Sequence, residues 1–146
     1  MKLKATLIPL FFFVSLIAVH ANDSWKTDFK AALAEAGSQN KYILVNFTGS
    51  DWCGWCIKLD KEVFSQEAFQ QFAEDKLLLV KVDFPRKKQQ SADLTAQNEA
   101  LLKKYGVRGF PTILLLSPQG DLVGKTGYKA GGAKAYVAHI QEIIGK

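Results

Sequence analysis

The sequence predicts a single α/β domain: a central mixed sheet of four strands, with room for a fifth short one, and helices on both faces. Three observations predict it. Apolar runs at residues 42–47, 77–84 and 112–116 place hydrophobic side chains on consecutive positions, as strands covered on both faces do. Between these runs, apolar residues recur at three- and four-residue steps, the mark of helices that cross over a parallel sheet. After the last run, Ser117-Pro118-Gln119-Gly120-Asp121 is a turn, and the fourth strand at 122–127 completes an antiparallel hairpin.

Taken in order, the chain starts with Lys2 and Lys4, an apolar stretch from Leu7 to Val19, and the small-residue ending Val19-His20-Ala21. That is the pattern of a secretory signal peptide over 1–21, cleaved after Ala21, ahead of a domain over 22–146. Its apolar core falls short of the roughly 20 residues a membrane-spanning helix needs, so no permanent anchor is expected. Trp25, Phe29, Leu33 and Ala36 then form one apolar stripe on a helix over 23–36, which Gly37 is placed to cap. The strand at 42–47 follows, and Thr48-Gly49-Ser50-Asp51 turns the chain into Trp52-Cys53-Gly54-Trp55-Cys56.

From Gly54 a helix is expected through Ile57, Leu59, Val63 and Phe64, with a break near Ser65 before Ala68, Phe69 and Phe72 resume the pattern. The second strand is followed by a polar, proline-led loop over 85–91 that contains Arg86, Lys87 and Lys88. A helix over 93–105, the hairpin, and a closing amphipathic helix marked by Tyr136, Val137, Ile140, Ile143 and Ile144 complete the chain. No internal repeat or second domain is found.

Without residues 1–21 the chain carries 17 basic and 14 acidic residues, a formal charge of +3. This is ordinary solvation. The Arg86-Lys87-Lys88 cluster has no interleaved aromatic residues and reads as a solvated loop, so no nucleic-acid partner is expected. About 125 residues build a core without structural disulfides or metals. The two cysteines, Cys53 and Cys56, stand too close together to staple a long loop, so their use is chemical. A Cys-x-x-Cys after a strand and at the start of a helix reads as a thiol-disulfide redox pair.

The order of elements, the WCxxC at the first central strand's end, and Tyr105-Gly106-Val107-Arg108-Gly109-Phe110-Pro111-Thr112 before the third strand together resemble the thioredoxin superfamily. The resemblance covers residues 23–146 and is nearest to exported bacterial disulfide reductases and isomerases. It implies a thioredoxin fold and a thiol-disulfide oxidoreductase acting on protein disulfides, as a reductase or isomerase in the bacterial periplasm. It implies Cys53 as nucleophile and Cys56 as resolving cysteine, joined as a redox disulfide. Pro111 matches the family's cis-proline facing the disulfide, and Phe110 the variable residue before it. A cis bond there would offer the Phe110 backbone to an extended substrate chain.

Two departures stand out. The family's buried strand acid aligns with Asn46 when one extra residue is allowed before the tryptophan, while its lysine partner survives as Lys81. The mid-helix proline is absent, with Lys61 near that position. A family member with the acid should therefore deprotonate its resolving thiol faster than this chain, leaving Asp51 or a water as candidate acceptor.

The chemistry follows from the residues as well. An ordinary thiol, with a pKa of about 8.5, is only a few per cent thiolate at neutral pH, so the attacking sulfur needs a helper. At the first turn of a helix, free N–H groups and the dipole stabilise an anion on Cys53, and Cys56 lies three residues on, on the same face but deeper. The cycle needs no cofactor or metal, only a separate thiol donor, such as a membrane disulfide reductase, to reopen the bridge. Gly54 lets a substrate backbone approach. Trp52 and Trp55, flanking exposed cysteines, read as substrate contacts, whereas Trp25 reads as core. Asp51 either caps the active-site helix or solvates the turn. Zinc would need two more strong ligands, and His139 reads as a surface or boundary residue. With no coiled-coil heptads, a monomer is expected. The competing functions are a thiol oxidase and a non-enzymatic, chaperone-like binding module.

Overall fold

The computed structural model describes residues 24–145, and its centre is strand β2 (Tyr42–Thr48). The expected signal peptide and the cleavage after Ala21 lie outside the described residues. β2 pairs in parallel with β3 (Leu77–Asp83) and antiparallel with β4 (Thr112–Leu116), and β4 continues the hairpin to β5 (Leu122–Thr126). A two-residue strand β1 (Trp25–Lys26) adds to β3 in parallel, giving the order β1-β3-β2-β4-β5. The four expected strands and the short fifth are all present.

Because side chains alternate across a strand, the two faces of the sheet build separate cores. Ile43, Val45, Phe47, Val80, Val82, Leu114 and Leu116 face α1 (Phe29–Gln39) and α4 (Ala92–Lys104). Leu44, Leu77, Leu79, Ile113 and Leu115 pack instead with Leu59, Phe64, Phe69, Tyr136 and Ile140. Those partners come from α2 (Gly54–Leu59), α3 (Glu67–Lys76), α5 (Gly132–Ile144) and the turns between them. Along β2 the alternation also brings Asn46 and Thr48 to this second face, and along β3 it brings Lys81.

Three local expectations are corrected. Trp25 belongs to β1, not to the first helix. That helix starts at Phe29 because the Asp28 carboxylate accepts from the Ala31 N–H at 2.9 Å and caps it, while Trp25 stays extended and packs edge-on to Phe64 at 5.1 Å. The helix also runs past Gly37 to end at Asn40, whose left-handed φ of 53° lets its N–H bond Ala36 O.

After Leu59 the active-site helix widens into a π-helical turn, Asp60–Phe64, in which Ser65 N–H reaches Asp60 O at 2.8 Å. The chain then breaks at Ser65 and Gln66, as expected, before α3. Ile57, counted on the apolar stripe of this helix, is 48% exposed. Among the described residues, no helix is long and apolar enough to cross a membrane.

Candidate active site

β2 delivers the chain to the C-terminal edge of the sheet, where the turn at 49–52 curls so that the Cys53 N–H bonds Gly49 O at 2.9 Å. Cys53 is itself the N-cap of α2: its Sγ accepts from the Cys56 N–H at 3.3 Å, satisfying one of the helix's free donors. Cys53 and Cys56 form a disulfide with their Cα atoms 5.2 Å apart. Both are buried, at 7% and 5% exposure, contrary to the expectation that they stand exposed.

One flank of the disulfide is built from cross-loop bonds. The Trp52 indole N–H donates to Phe84 O at 2.7 Å, and its ring lies over bare backbone at Gly49, where a Cβ would come within 2.5 Å of it. The Arg86 guanidinium covers the Trp52 ring at 3.8 Å. Asp51 accepts from the N–H groups of Arg86 at 2.9 Å and Lys87 at 2.7 Å. Those donors, Arg86 first, hold its carboxyl below the usual carboxylate range. Asp51 therefore neither caps the active-site helix nor merely solvates the turn; it ties the motif to the loop after β3. The same loop was expected to be plain solvated charge, a view Arg86 corrects. Ser50 adds a second tie, donating to Asp83 from its N–H at 2.9 Å and its hydroxyl at 2.5 Å.

Phe110 joins this flank, stacked on Phe84 at 5.1 Å and edge-on to Trp52 at 6.1 Å. Its bond to Pro111 is cis. The pairing of Phe47 with Thr112 sets Phe110 and Pro111 at the sheet edge where the motif leaves β2. Thr112 Oγ1 donates to Gly109 O at 2.7 Å and fixes the approach.

The other flank is open. Trp55 is 58% exposed, its ring 5.1 Å from that of Tyr128, with the Lys58 ammonium over both at 5.2 and 5.3 Å. Tyr128 donates to Glu62 at 2.7 Å, and that bond pushes its pKa above the usual phenol value. Gly54 has nothing within 4 Å of where a Cβ would stand. Sequence reasoning missed Tyr128, Lys58 and Glu62, which meet only when the last loop folds over the helix. His139 is half-buried on α5, its Nε2 2.9 Å from Thr126 Oγ1.

Behind Cys56 lies a cavity of about 160 Å³ lined by Asn46, Thr48, Ser50, Ile57, Asp60 and Lys81. Asn46 and Lys81 are direct neighbours across β2 and β3, as the resemblance implies. Asn46 is 6% exposed, and its Oδ1 has no hydrogen-bond partner. Asp51 is not among the lining residues; Asp60, which sequence reasoning did not single out, is.

Residues 29–141 match the sequence family described as a thioredoxin-like domain. The chain is 35% identical over 124 residues to the disulfide bond reductase DsbH of Chlamydia pneumoniae, covering 85% of this chain and 74% of that protein. It is 33% identical over 118 residues to the thiol:disulfide interchange protein DsbD of Yersinia pestis, covering 77% of this chain but only 17% of that larger protein. A solved structure titled DsbH oxidoreductase matches with a TM-score of 0.79 at 34% identity, covering 83% of each chain. The reduced C-terminal domain of Neisseria meningitidis DsbD shares the fold, with a TM-score of 0.59 at 21% identity.

Proposed function

The chain belongs to the family of thioredoxin-like domains, and from that membership we propose that it is a protein-disulfide reductase or isomerase working through Cys53 and Cys56. Thiol-disulfide oxidoreduction is the activity its relatives are named for. The observation that carries the reading is the Cys53–Cys56 disulfide at the start of α2, with Cys53 Sγ accepting a backbone N–H. A group that accepts that bond as a disulfide sulfur accepts it more strongly as a thiolate, so the reduced pair has a preferred site for negative charge.

In the cycle, the Cys53 thiolate attacks a substrate disulfide and forms a mixed disulfide, releasing one substrate thiolate. Cys56 loses its proton and attacks Cys53 Sγ, which expels the second substrate sulfur and closes the internal bridge. Two electrons pass to the substrate, and a separate thiol donor, a membrane disulfide reductase in our reading, reopens the pair. Substrate lies on the Gly54 and Trp55 flank and against the backbone of Phe110 and Pro111, while Trp52 forms the wall opposite. The basic, apolar and small-residue pattern of 1–21 supports export to the bacterial periplasm with cleavage after Ala21, leaving the domain at 22–146.

Insulin-disulfide reduction with dithiothreitol tests the reading: Cys53→Ser should abolish turnover, and Cys56→Ser should trap a mixed disulfide. A parent chain that reduces insulin no faster than dithiothreitol alone, while Cys53→Ser still binds unfolded chains, would leave the binding-module reading in its place. Direction is read from the reduction potential. A value near about −270 mV fits a reductase, and one near about −120 mV an oxidase.

A further inference from the structure

Resolution of the mixed disulfide needs a base, and the strand position expected to supply one holds an amide. We infer that Asp60 takes the proton of Cys56 through water held in the cavity by Asn46, so that the acceptor sits on the helix rather than on the strand. This rests on the redox reading of Cys53 and Cys56 above.

The argument begins with the cavity. Its volume of about 160 Å³ is several times the roughly 30 Å³ that one water occupies in the liquid. Its floor is polar, formed by Asn46 and Thr48 of β2 and Lys81 of β3, and its wall includes Cys56. Asn46 Oδ1 is buried and without a protein partner, a cost that a water donating to it removes. A side chain that fixes a water beside a thiol, but cannot itself take a proton, is a tether and not a base.

Elimination points to the base. Asp51 is committed to the N–H groups of Arg86 and Lys87, Asp83 to Ser50, and Glu62 to Tyr128. None of the three lines the cavity. Asp60 does, four residues after Cys56 and so on the same face of the helix. Ser65 donates to its Oδ2 at 3.1 Å, which leaves Oδ1 to accept. The lining charges are Asp60 from the helix and Lys81 from β3; Asn46, Thr48, Ser50 and Ile57 are uncharged. Lys81 brings a positive charge to the lining, its ammonium lying 5.6 Å from the centre of the Trp25 ring.

The step balances. The Cys56 S–H proton passes to water, whose own proton goes to the Asp60 carboxylate. The Cys56 thiolate forms a bond to Cys53 Sγ as the bond from Cys53 to substrate breaks. The substrate leaves as a thiolate and is protonated from solvent, while Asp60 returns its proton to solvent at the mouth of the cavity.

The test uses the reduced full chain mixed with dithionitrobenzoate, which releases one coloured thiolate when Cys53 attacks and a second when Cys56 resolves. Asp60→Asn should leave the first phase unchanged and slow the second about tenfold or more near neutral pH. Its second phase should also become proportional to hydroxide between about pH 6 and 9, where the parent chain's is not. Asp60→Glu should restore the parent profile, and Asn46→Asp should rescue Asp60→Asn by returning a carboxylate to the cavity. A second phase within about twofold of the parent at every pH, or two phases slowed alike, overturns the inference. If the parent chain releases no second coloured thiolate, the redox reading itself fails and this inference fails with it.

Discussion

Two tryptophans flank the same disulfide, and the fold treats them in opposite ways. Trp52 is hydrogen-bonded to Phe84 O, laid on the bare backbone of Gly49, covered by Arg86 and met edge-on by Phe110. Trp55 is 58% exposed and touches Tyr128 and Lys58 along one side. In sequence they looked alike, each beside a cysteine. The difference teaches that one half of a WCxxC motif builds the loop that aims the sulfurs, while the other half is left as exposed surface, the side on which we propose that a partner binds. Substitutions on the two flanks should therefore separate stability from substrate handling.

The largest effect belongs to Trp52→Ala. Removing a half-buried indole leaves a void under Arg86 and an unpaired Phe84 carbonyl, a loss of about 2–3 kcal/mol against the 3–5 typical of fully buried aromatics. The urea midpoint should fall with an unchanged m-value. A loss below about 0.5 kcal/mol would erase the distinction between the two flanks.

Gly49→Ala should come next. The new Cβ would sit 2.5 Å from the Trp52 ring, so the ring must leave its seat or the turn must shift, at a cost of about 1–3 kcal/mol. In the Trp52→Ala background the same change should cost much less, because the atom it collides with is gone; additive losses would place the strain elsewhere.

Asp51→Asn sharpens the comparison through pH. The folded protein holds the Asp51 carboxyl below its usual range because it accepts from Arg86 and Lys87. A carboxyl with a depressed folded pKa adds stability above its unfolded pKa of about 3.9 and loses it as pH falls through the folded value. The parent and Asp51→Asn chains should differ in melting temperature at neutral pH and converge in acid, below about pH 4. Curves that stay parallel down to acid pH would show that the latch does not depend on charge.

Much of this was legible in the sequence, and the misses share a cause. The strand at Tyr42 announced itself because an unbroken apolar run needs cover on both faces, whereas Asn46 and Lys81 were marked only by the family resemblance and Thr48 was assigned to the turn. Trp25 was misread because its spacing to Phe29, Leu33 and Ala36 fits a helix, and nothing local reveals that β3 has a free edge for it. Arg86 looked like any loop charge, since a backbone N–H bound by Asp51 leaves no trace in composition. Asp60 was passed over for the same reason: its meaning depends on a cavity that exists only when the helix lies on the strands. Contacts made within an element are written in its period, and contacts made between loops are not.

Trp55→Ala is the smallest change to the fold and the one that most directly probes the open flank. The side chain is mostly exposed, and its removal leaves the Tyr128–Glu62 hydrogen bond in place, so stability should move by no more than about 0.5 kcal/mol. The cost should appear with substrate instead. A partner chain that lays apolar surface on the indole loses that area, and kcat/KM for insulin reduction should drop about three- to tenfold, while reduction of a small disulfide such as cystine changes little. If both substrates lose equally, Trp55 acts on the sulfurs and not on the partner. If neither does, the open flank is solvent-facing and substrate binding belongs to the Phe110 side.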